Sequence, residues 1–361
     1  MTNPIYCGAD PRSARVPQDP PIIRSREPDG GVGCGPGVRP TAFKLLMGVL
    51  LFATAAFAQQ PQNFDNVEVH VLPVQGNVYM LVGAGGNMTM QVGKDGVLLV
   101  DTMYAGLSDK VLAAIRTVSD KPIRYIINTH VHGDHTGGNE KLAKAGSTIA
   151  GGNVVGDIGA SAGEGATVIA AQQVLDRMSK KDGNTPAAPS GAWPTDTYIT
   201  DVKDIFFNGE AIQIFHQPAA HTDGDSIVFF RRSDVVSTGD IFVTTSYPII
   251  DLDRGGTYQG VLDGLNHILD IAIPADKQEG GTYVIPGHGR LCDQADVVEY
   301  RDMMTILRDR FLDMIRRGLT LDQVKAEKPT RDYDPLYGTD KGFWTTDKFV
   351  EAAYKSLKAG K

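Results

Sequence analysis

The sequence predicts an α/β protein. Short runs of β-branched and aromatic residues recur between Gly- and Asn-containing turns, and they alternate with segments whose apolar residues repeat at helical spacing. The chain has 361 residues, of which 42% are apolar and 22% are charged. This length and composition indicate one large globular domain with a sizeable core.

The first half of the chain predicts a sheet followed by alternating helices and strands. Residues 109–118 have apolar side chains at Val111, Leu112, Ile115 and Val118, which is a helical repeat. Residues 180–190 are expected to form a mobile surface loop near the cleft. The predicted strands are 67–73, 78–82, 88–92, 97–100 and 123–128, and the predicted helices are 109–118, 138–145 and 168–178.

The second half predicts another sheet and a helical C-terminal extension. The extension begins at about residue 292 and is expected to shape the wall of a cleft. The predicted strands are 205–207, 211–215, 226–230, 235–238 and 282–285, and the predicted helices are 258–273, 297–317 and 345–358.

The N-terminal segment has the composition of a targeting sequence. Arg39 and Lys44 precede an apolar stretch at 45–57, and Ala58 precedes a polar residue, as in a secretory signal peptide. We therefore expect a signal peptide at 38–58, a mature domain at 59–361, and a periplasmic or secreted location without a stable membrane anchor after cleavage. Residues 1–37 are interpreted as a disordered leader or a mis-annotated start, with an uncleaved anchor as the alternative.

Charge and cysteine content exclude some partners and sites. The net charge of −8 argues against nucleic acid as a partner, because phosphate binding relies on clustered Lys and Arg. Cys7 and Cys34 precede the predicted cleavage point, so the mature domain keeps Cys292 alone. An internal disulfide and a thiolate metal ligand are therefore not expected.

The strongest functional signal is a cluster of metal-binding residue types directly after the predicted strand 123–128. His130, His132, Asp134 and His135 lie within six residues. Imidazole and carboxylate are ligands that zinc accepts, and residues two apart in extended chain face the same side. Because one metal cannot easily use all four groups from so tight a loop, two adjacent metals are expected.

Further ligands are expected in loops at the ends of other strands. His221 lies before the predicted strand 226–230, Asp240 follows 235–238, and His288 follows 282–285. Asp101 ends another apolar run, at 97–100. The remaining histidines, which are His70, His216 and His267, are interpreted as surface or core residues.

In this order, the set His130, His132, Asp134, His135, His221, Asp240 and His288 resembles the metallo-β-lactamase-fold superfamily of binuclear metallohydrolases. The resemblance covers about residues 66–290 and implies a four-layer αββα sandwich with two Zn²⁺ ions at one edge between the sheets, although other divalent metals stay open. It also assigns the ligands. His130, His132 and His221 would hold the first metal, Asp134, His135 and His288 the second, and Asp240 would bridge them.

The resemblance predicts a zinc-dependent hydrolase that uses a metal-bridging hydroxide as nucleophile. Asp134 is the predicted catalytic residue because it can bind metal and orient the hydroxide. Asp101 and Asp225 are predicted to orient ligand imidazoles, with ordinary loop aspartates as the alternative. Asp223 is left open. Tyr104 and Tyr247 are considered as residues that line the cleft.

The predicted substrate is a small molecule, and its class stays open. Export favours a β-lactamase-like hydrolase of a cyclic amide or ester. However, the similar β-lactamase subclasses carry a cysteine at the position of Asp240 and a lysine at that of Val243. Asp240 is typical of thioester, lactone and phosphodiester hydrolases of the same superfamily, which form the alternative. A periplasmic metal-binding accessory protein is a further alternative of another class, and the oligomeric state is not predicted.

Overall fold

The computed structural model describes residues 63–148, 165–181 and 187–360. The predicted leader and signal peptide lie outside the described residues, as does part of the predicted loop at 180–190. No helix within the described ranges is long and apolar enough to cross a membrane.

Among the described residues, the first sheet has seven strands, and their spatial order is their order in the chain. Neighbouring strands are antiparallel from β1 to β4 and parallel from β4 to β7. The strands are β1 His70–Gln75, β2 Val78–Val82, β3 Met88–Gly93, β4 Gly96–Val100, β5 Ile123–Ile127, β6 Thr167–Ala171 and β7 Asp196–Tyr198.

In the part of the chain that the structure describes, the second sheet has six strands in the order β13, β12, β11, β10, β9, β8. It is antiparallel except for the pair β11 and β12. The strands are β8 Val202–Phe207, β9 Glu210–Gln217, β10 Asp225–Phe230, β11 Val235–Ser237, β12 Tyr283–Ile285 and β13 Cys292–Asp293.

The two sheets pack face to face with helices outside. One buried apolar cluster joins side chains of both sheets, such as Leu98 and Ile127 from the first and Ile214 and Val228 from the second. A second cluster joins the first sheet to its helix, and a third joins the second sheet to the long C-terminal helices. Each sheet therefore buries both faces, and the predicted four-layer αββα sandwich is confirmed.

The helices surround this sandwich and extend it at the C-terminus. The longest, α6, has 23 residues and begins after a capping box formed by Asp293 and Asp296. Helix α9 (Thr346–Ala359) packs against α5 (Tyr258–Ile271), α6 (Gln294–Arg316) and α7 (Leu321–Glu327). The C-terminal extension therefore joins the main core. The helices are α1 Ser108–Arg116, α2 Gly133–Thr136, α3 Asn139–Lys144, α4 Gln172–Met178, α5 Tyr258–Ile271, α6 Gln294–Arg316, α7 Leu321–Glu327, α8 Asp334–Tyr337 and α9 Thr346–Ala359.

One sequence prediction in this region was wrong. The predicted helix 168–178 is strand β6 followed by the shorter helix α4. Residues 168–171 are buried between β5 and β7, and a parallel strand buried on both faces has no alternating pattern that separates it from a helix. Lys180 and Lys181 line a small pocket with Arg177 and Asp223, and residues 182–186 of their predicted loop lie outside the described residues.

Candidate metal centre

The first four candidate ligands lie in a compact loop after β5. Helix α2 is a single turn in which the backbone N–H groups of His135 and Thr136 donate to the carbonyl of His132. The turn reverses the chain within a few residues. It places Asp134 and His135 beside His130 and His132 and not further along the strand direction.

The other three candidate ligands come from loops of the second sheet. His221 lies between β9 and β10, Asp240 lies in a 3-10 turn after β11, and His288 follows β12. Gly287 packs directly on Asp240, and a Cβ atom at that position would collide with the Asp240 carboxylate. The glycine before His288 is therefore needed for the two loops to meet.

The structure brings all seven predicted ligands together in two groups. Within each group, one nitrogen or oxygen atom per residue lies within 4.8 Å of the others. The first group is His130, His132, His221 and Asp240, and the second is Asp134, His135 and His288. This grouping matches the assignment that the resemblance implied.

The carboxylate of Asp240 lies between the two groups. Its Oδ2 is 3.9 Å from His130 Nε2 and 3.7 Å from His221 Nε2. Its Oδ1 is 3.2 Å from His135 Nε2 and 3.4 Å from His288 Nε2. One oxygen therefore faces each group, which is the geometry required of a bridging ligand.

The carboxylate of Asp101 contacts the ring of His135. His135 Nδ1 lies 2.7 Å from Asp101 Oδ2, and the same carboxylate accepts hydrogen bonds from the backbone N–H and the hydroxyl of Thr129. With Nδ1–H donating to Asp101, the Nε2 lone pair of His135 is free to point at a metal. The three polar contacts also fix the ring in one orientation.

Asp251 contacts His132 in the same way, although no sequence pattern indicates this residue. His132 Nε2 lies 2.8 Å from Asp251 Oδ2, which leaves His132 Nδ1 facing His221 Nε2 at 2.9 Å. Asp251 also accepts a hydrogen bond from Arg254 Nη1. No sequence motif marks Asp251, which lies 119 residues after His132.

The ring of His221 is held by a backbone group and not by Asp225. His221 Nδ1 lies 2.6 Å from the carbonyl oxygen of Ile249. The carboxylate of Asp225 accepts instead from the backbone N–H and hydroxyl of Thr222, so it supports the loop and not a ligand ring, contrary to the predicted role. Asp223, which was left open, forms a bidentate ion pair with Arg177.

The site favours positive charge between its two groups of ligands. Burial lowers the pKa of His130, and it lowers that of His221 to about 4, so both rings are neutral and able to bind metal at pH 7. Burial also opposes the charged form of His288, but Asp240 and Asp134 outweigh it and raise the pKa of His288 to about 9. A proton, or a cation in its place, is therefore stabilised beside Asp240.

The residues present fit a pair of metal ions. Within the described ranges, His130 Nε2 and Asp240 Oδ1 are buried and have no hydrogen-bond partner. Buried polar atoms normally have a partner, and a metal ion would supply one for both. The donors are nitrogen and oxygen atoms in an open arrangement, which suits catalytic zinc better than a closed structural site.

The candidate ligands form the floor of a cleft of about 1110 Å³. His132, Asp134, Asp240 and His288 are reached from this cleft, and Tyr104 lines it as considered from the sequence. Tyr247 does not line it. The ring of Tyr247 is buried, stacks on Phe349, and donates its hydroxyl to the C-terminal extension.

Comparisons with known proteins agree with this geometry. A family model described as the metallo-beta-lactamase superfamily matches residues 73–288, which is more than half of the chain. A linear primary-alkylsulfatase from Pseudomonas sp. (strain ATCC 19151) is 26% identical over an alignment of 283 residues, which covers 68% of this chain and 52% of that protein. The chain thus spans about half the length of the curated relative that it matches.

A solved alkylsulfatase structure shows the same fold. A stereoselective inverting sec-alkylsulfatase from Pseudomonas sp. aligns with a TM-score of 0.57 at 16% identity, over 80% of this chain and 50% of that one. A metallo-beta-lactamase from Pontibacter korlensis aligns with a TM-score of 0.48 at 14% identity, over 66% of this chain and 99% of that one. The family match confirms the predicted resemblance and the predicted enzyme class, a hydrolase.

Proposed function

Because the chain belongs to the metallo-β-lactamase superfamily, we propose that it is a dinuclear zinc hydrolase whose substrates are esters, with sulfate monoesters of alkyl alcohols as the first candidate. The observation that carries the dinuclear centre is the position of Asp240, which offers one carboxylate oxygen to each group of ligands. Among the described residues, five buried side-chain atoms have no hydrogen-bond partner, and two of them, His130 Nε2 and Asp240 Oδ1, lie in this site and support the same conclusion.

The proposed ligand sets follow the two groups. His130, His132 and His221 would hold one ion, Asp134, His135 and His288 the other, and Asp240 both. When bound, two zinc ions supply a water of lowered pKa and polarise the oxygen of the scissile group. The negative charge of Asp240 reduces the repulsion between two cations held close together.

Asp134 has the position of a residue that handles a proton. Its Oδ2 lies 3.3 Å from His288 Nε2, and its side chain is 19% exposed, whereas that of Asp240 is only 5% exposed. The Asp134 carboxylate therefore reaches both the ligands and the open cleft. We propose that Asp134 Oδ2 accepts a hydrogen bond from the attacking water and orients it toward the substrate.

The choice of sulfate esters rests on the relatives. The curated relative with 26% identity is a linear primary-alkylsulfatase, and a solved relative with the same fold is a sec-alkylsulfatase. The bridging Asp240 favours an ester, thioester, lactone or phosphodiester as the second candidate. The β-lactamase-like hydrolysis of a cyclic amide has no support here beyond the fold, and it enters the test as a competing reaction.

We also propose that the chain is exported. The support is the basic residues Arg39 and Lys44, the apolar stretch 45–57, and Ala58 before a polar residue. N-terminal sequencing of the protein from the secreted fraction of cells that express the full chain is expected to begin at Gln59. A different first residue would contradict this proposal.

A parallel assay tests the proposed chemistry. The zinc-loaded full chain is given octyl sulfate, a thioester, a lactone, bis(4-nitrophenyl) phosphate and a chromogenic cephalosporin, while bound metal is counted. We expect two zinc ions per chain, the highest kcat/KM for octyl sulfate, and loss of hydrolysis in Asp134→Asn. Dominance of the cephalosporin would restore the β-lactamase interpretation. Two bound zinc ions without any hydrolysis would favour a metal-binding accessory role.

A further inference from the structure

Two exposed apolar side chains lie in the same cleft as the metal ligands. Leu252 is 36% exposed and Phe343 is 71% exposed, and both line the cleft whose floor contains His132 and Asp240. Exposed apolar residues are common on protein surfaces, but they rarely mark a binding site unless they line a concave pocket. These two residues meet that condition.

Phe343 is held in place by the loop that carries it. Residues 339–346 close on themselves, since the backbone N–H of Thr346 donates to the carbonyl of Thr339 and the hydroxyl of Thr346 accepts from the backbone N–H of Thr339. Lys348 Nζ donates to the carbonyl of Phe343. Gly342 has φ of +84°, a conformation that glycine adopts without strain. The exposed ring is therefore presented by an ordered loop.

Leu252 is fixed by the segment that orients a metal ligand. It is the first residue of the 3-10 turn Leu252–Arg254. The N-cap of this turn is Asp251, the residue that contacts His132 Nε2. The turn is closed by a hydrogen bond from the backbone N–H of Arg254 to the Asp251 carboxylate. The apolar side chain and the metal centre thus share one rigid support.

Charged groups near the loop are mostly engaged with the protein. Among the three lysines that line this part of the cleft, Lys348 binds the carbonyl of Phe343 and Lys355 pairs with Glu351 at 2.7 Å. Lys341 is the third. Leu252 and Phe343 define the mouth of the cleft, and they offer apolar surface that water leaves readily when an apolar group covers it.

We propose that Phe343 and Leu252 form an apolar clamp that binds the hydrocarbon chain of the substrate and makes chain length the main determinant of specificity. The proposal rests on the proposed ester hydrolase and adds the substrate class to it: esters of long-chain alcohols are preferred over short ones. The clamp depends on residue 343, which lies outside the region 73–288 that defines the family match.

A homologous series tests the clamp. Hydrolysis of butyl, hexyl, octyl and decyl sulfate is measured below their micelle concentrations. Each buried methylene is expected to raise kcat/KM by up to about fourfold. Phe343→Ala should flatten this slope and raise KM for decyl sulfate by about tenfold while kcat is kept. Leu252→Ala should act in the same direction.

The chain offers matched controls. Phe206 is 75% exposed on β8 and does not line the cleft, so Phe206→Ala removes an equally exposed ring elsewhere. Leu336, which is 74% exposed and also outside the cleft lining, serves as the control for Leu252. Both controls are expected to keep the wild-type slope. An unchanged slope in Phe343→Ala, or an equal loss in Phe206→Ala, overturns the clamp.

A binding measurement separates the clamp from the proposed reaction. The chain has two tryptophans, and Trp344 lines the cleft whereas Trp193 packs in a different cluster, so Trp193→Phe leaves Trp344 as the reporter. Alkyl sulfonates are not hydrolysed, and their affinity is read from Trp344 fluorescence. Affinity that rises with chain length and falls in Phe343→Ala supports the clamp even if alkyl sulfates are not hydrolysed. Affinity independent of chain length overturns it.

Discussion

The floor of the cleft consists of buried polar side chains, whereas its mouth exposes apolar ones. On the floor, His130, His135 and His221 are fully buried, and each orienting contact is made by a group of the protein. At the mouth, Phe343 and Leu252 expose apolar surface that no described residue covers. The histidine rings of the floor are oriented without substrate, whereas the apolar surface of the mouth would be covered only when a ligand binds.

This difference divides the expected effects of mutation. Changes on the floor should alter metal content and kcat, because they disturb charges that act on the reacting atoms. Changes at the mouth should alter KM and its dependence on chain length, because they remove contacts made equally in the ground state and the transition state. Variants of the two regions therefore test whether the division is real.

The largest effect is expected for Asp240→Asn, which keeps the shape of the side chain but removes its charge. Without the bridging carboxylate, repulsion between two cations is no longer reduced, and the second metal should be lost on dialysis. Activity should fall by about 10³-fold, since a metal ion supplies several kcal/mol of transition-state stabilisation. Two metals per chain retained after dialysis would contradict the bridging role.

A smaller effect is expected for Asp251→Asn, which weakens the contact to His132 Nε2 at 2.8 Å. Loss of a carboxylate that orients a metal-binding histidine costs about 10- to 100-fold in metal affinity or activity. Metal affinity is measured by competition with a chelator. Asp253→Asn is the matched control, because Asp253 lies in the same turn and lines the same cleft but contacts none of the ligands. Equal losses in both variants would show that Asp251 acts through the turn alone.

The floor and the mouth of the cleft also differ in how much of each could be predicted from the sequence. All seven candidate ligands could be found in the sequence because metal ions bind a few residue types, here His and Asp, and because each lies in a loop next to a strand end. Asp101 was predictable for the same reason. Asp251 was not, because its role arises only when a loop of the second sheet reaches His132, a contact between residues that are 119 positions apart.

Two further features could not be predicted from the sequence, for physical reasons of the same kind. Strand β6 was predicted as helix because a strand buried on both faces lacks the alternation that identifies a strand. Phe343 belongs to a short loop without periodicity. The hydrogen bonds between Thr339 and Thr346 that close this loop cannot be read from a sequence pattern. Local chemistry therefore predicted the floor, while the mouth depends on how the C-terminal extension packs.

The smallest effect is expected for Tyr247→Phe, which tests whether that packing positions the mouth. The Tyr247 hydroxyl donates to the carbonyl of Thr330 at 3.1 Å and lies 2.9 Å from Asp334 Oδ1, so it ties the core to the extension. Its loss should lower the free energy of unfolding by about 1 kcal/mol, measured by urea denaturation. It should also raise KM for decyl sulfate more than for butyl sulfate, because the loop at 339–346 would be held less firmly.

Tyr198→Phe is the control for this variant. Its hydroxyl makes a similar buried contact, 2.6 Å from Ser226 Oγ, but it lies between the two sheets and away from the extension. The two variants should lose similar stability, and only Tyr247→Phe should change the dependence of KM on chain length. If both leave that dependence intact, the mouth is positioned by the loop's own hydrogen bonds, and packing of the extension against Tyr247 contributes to stability alone.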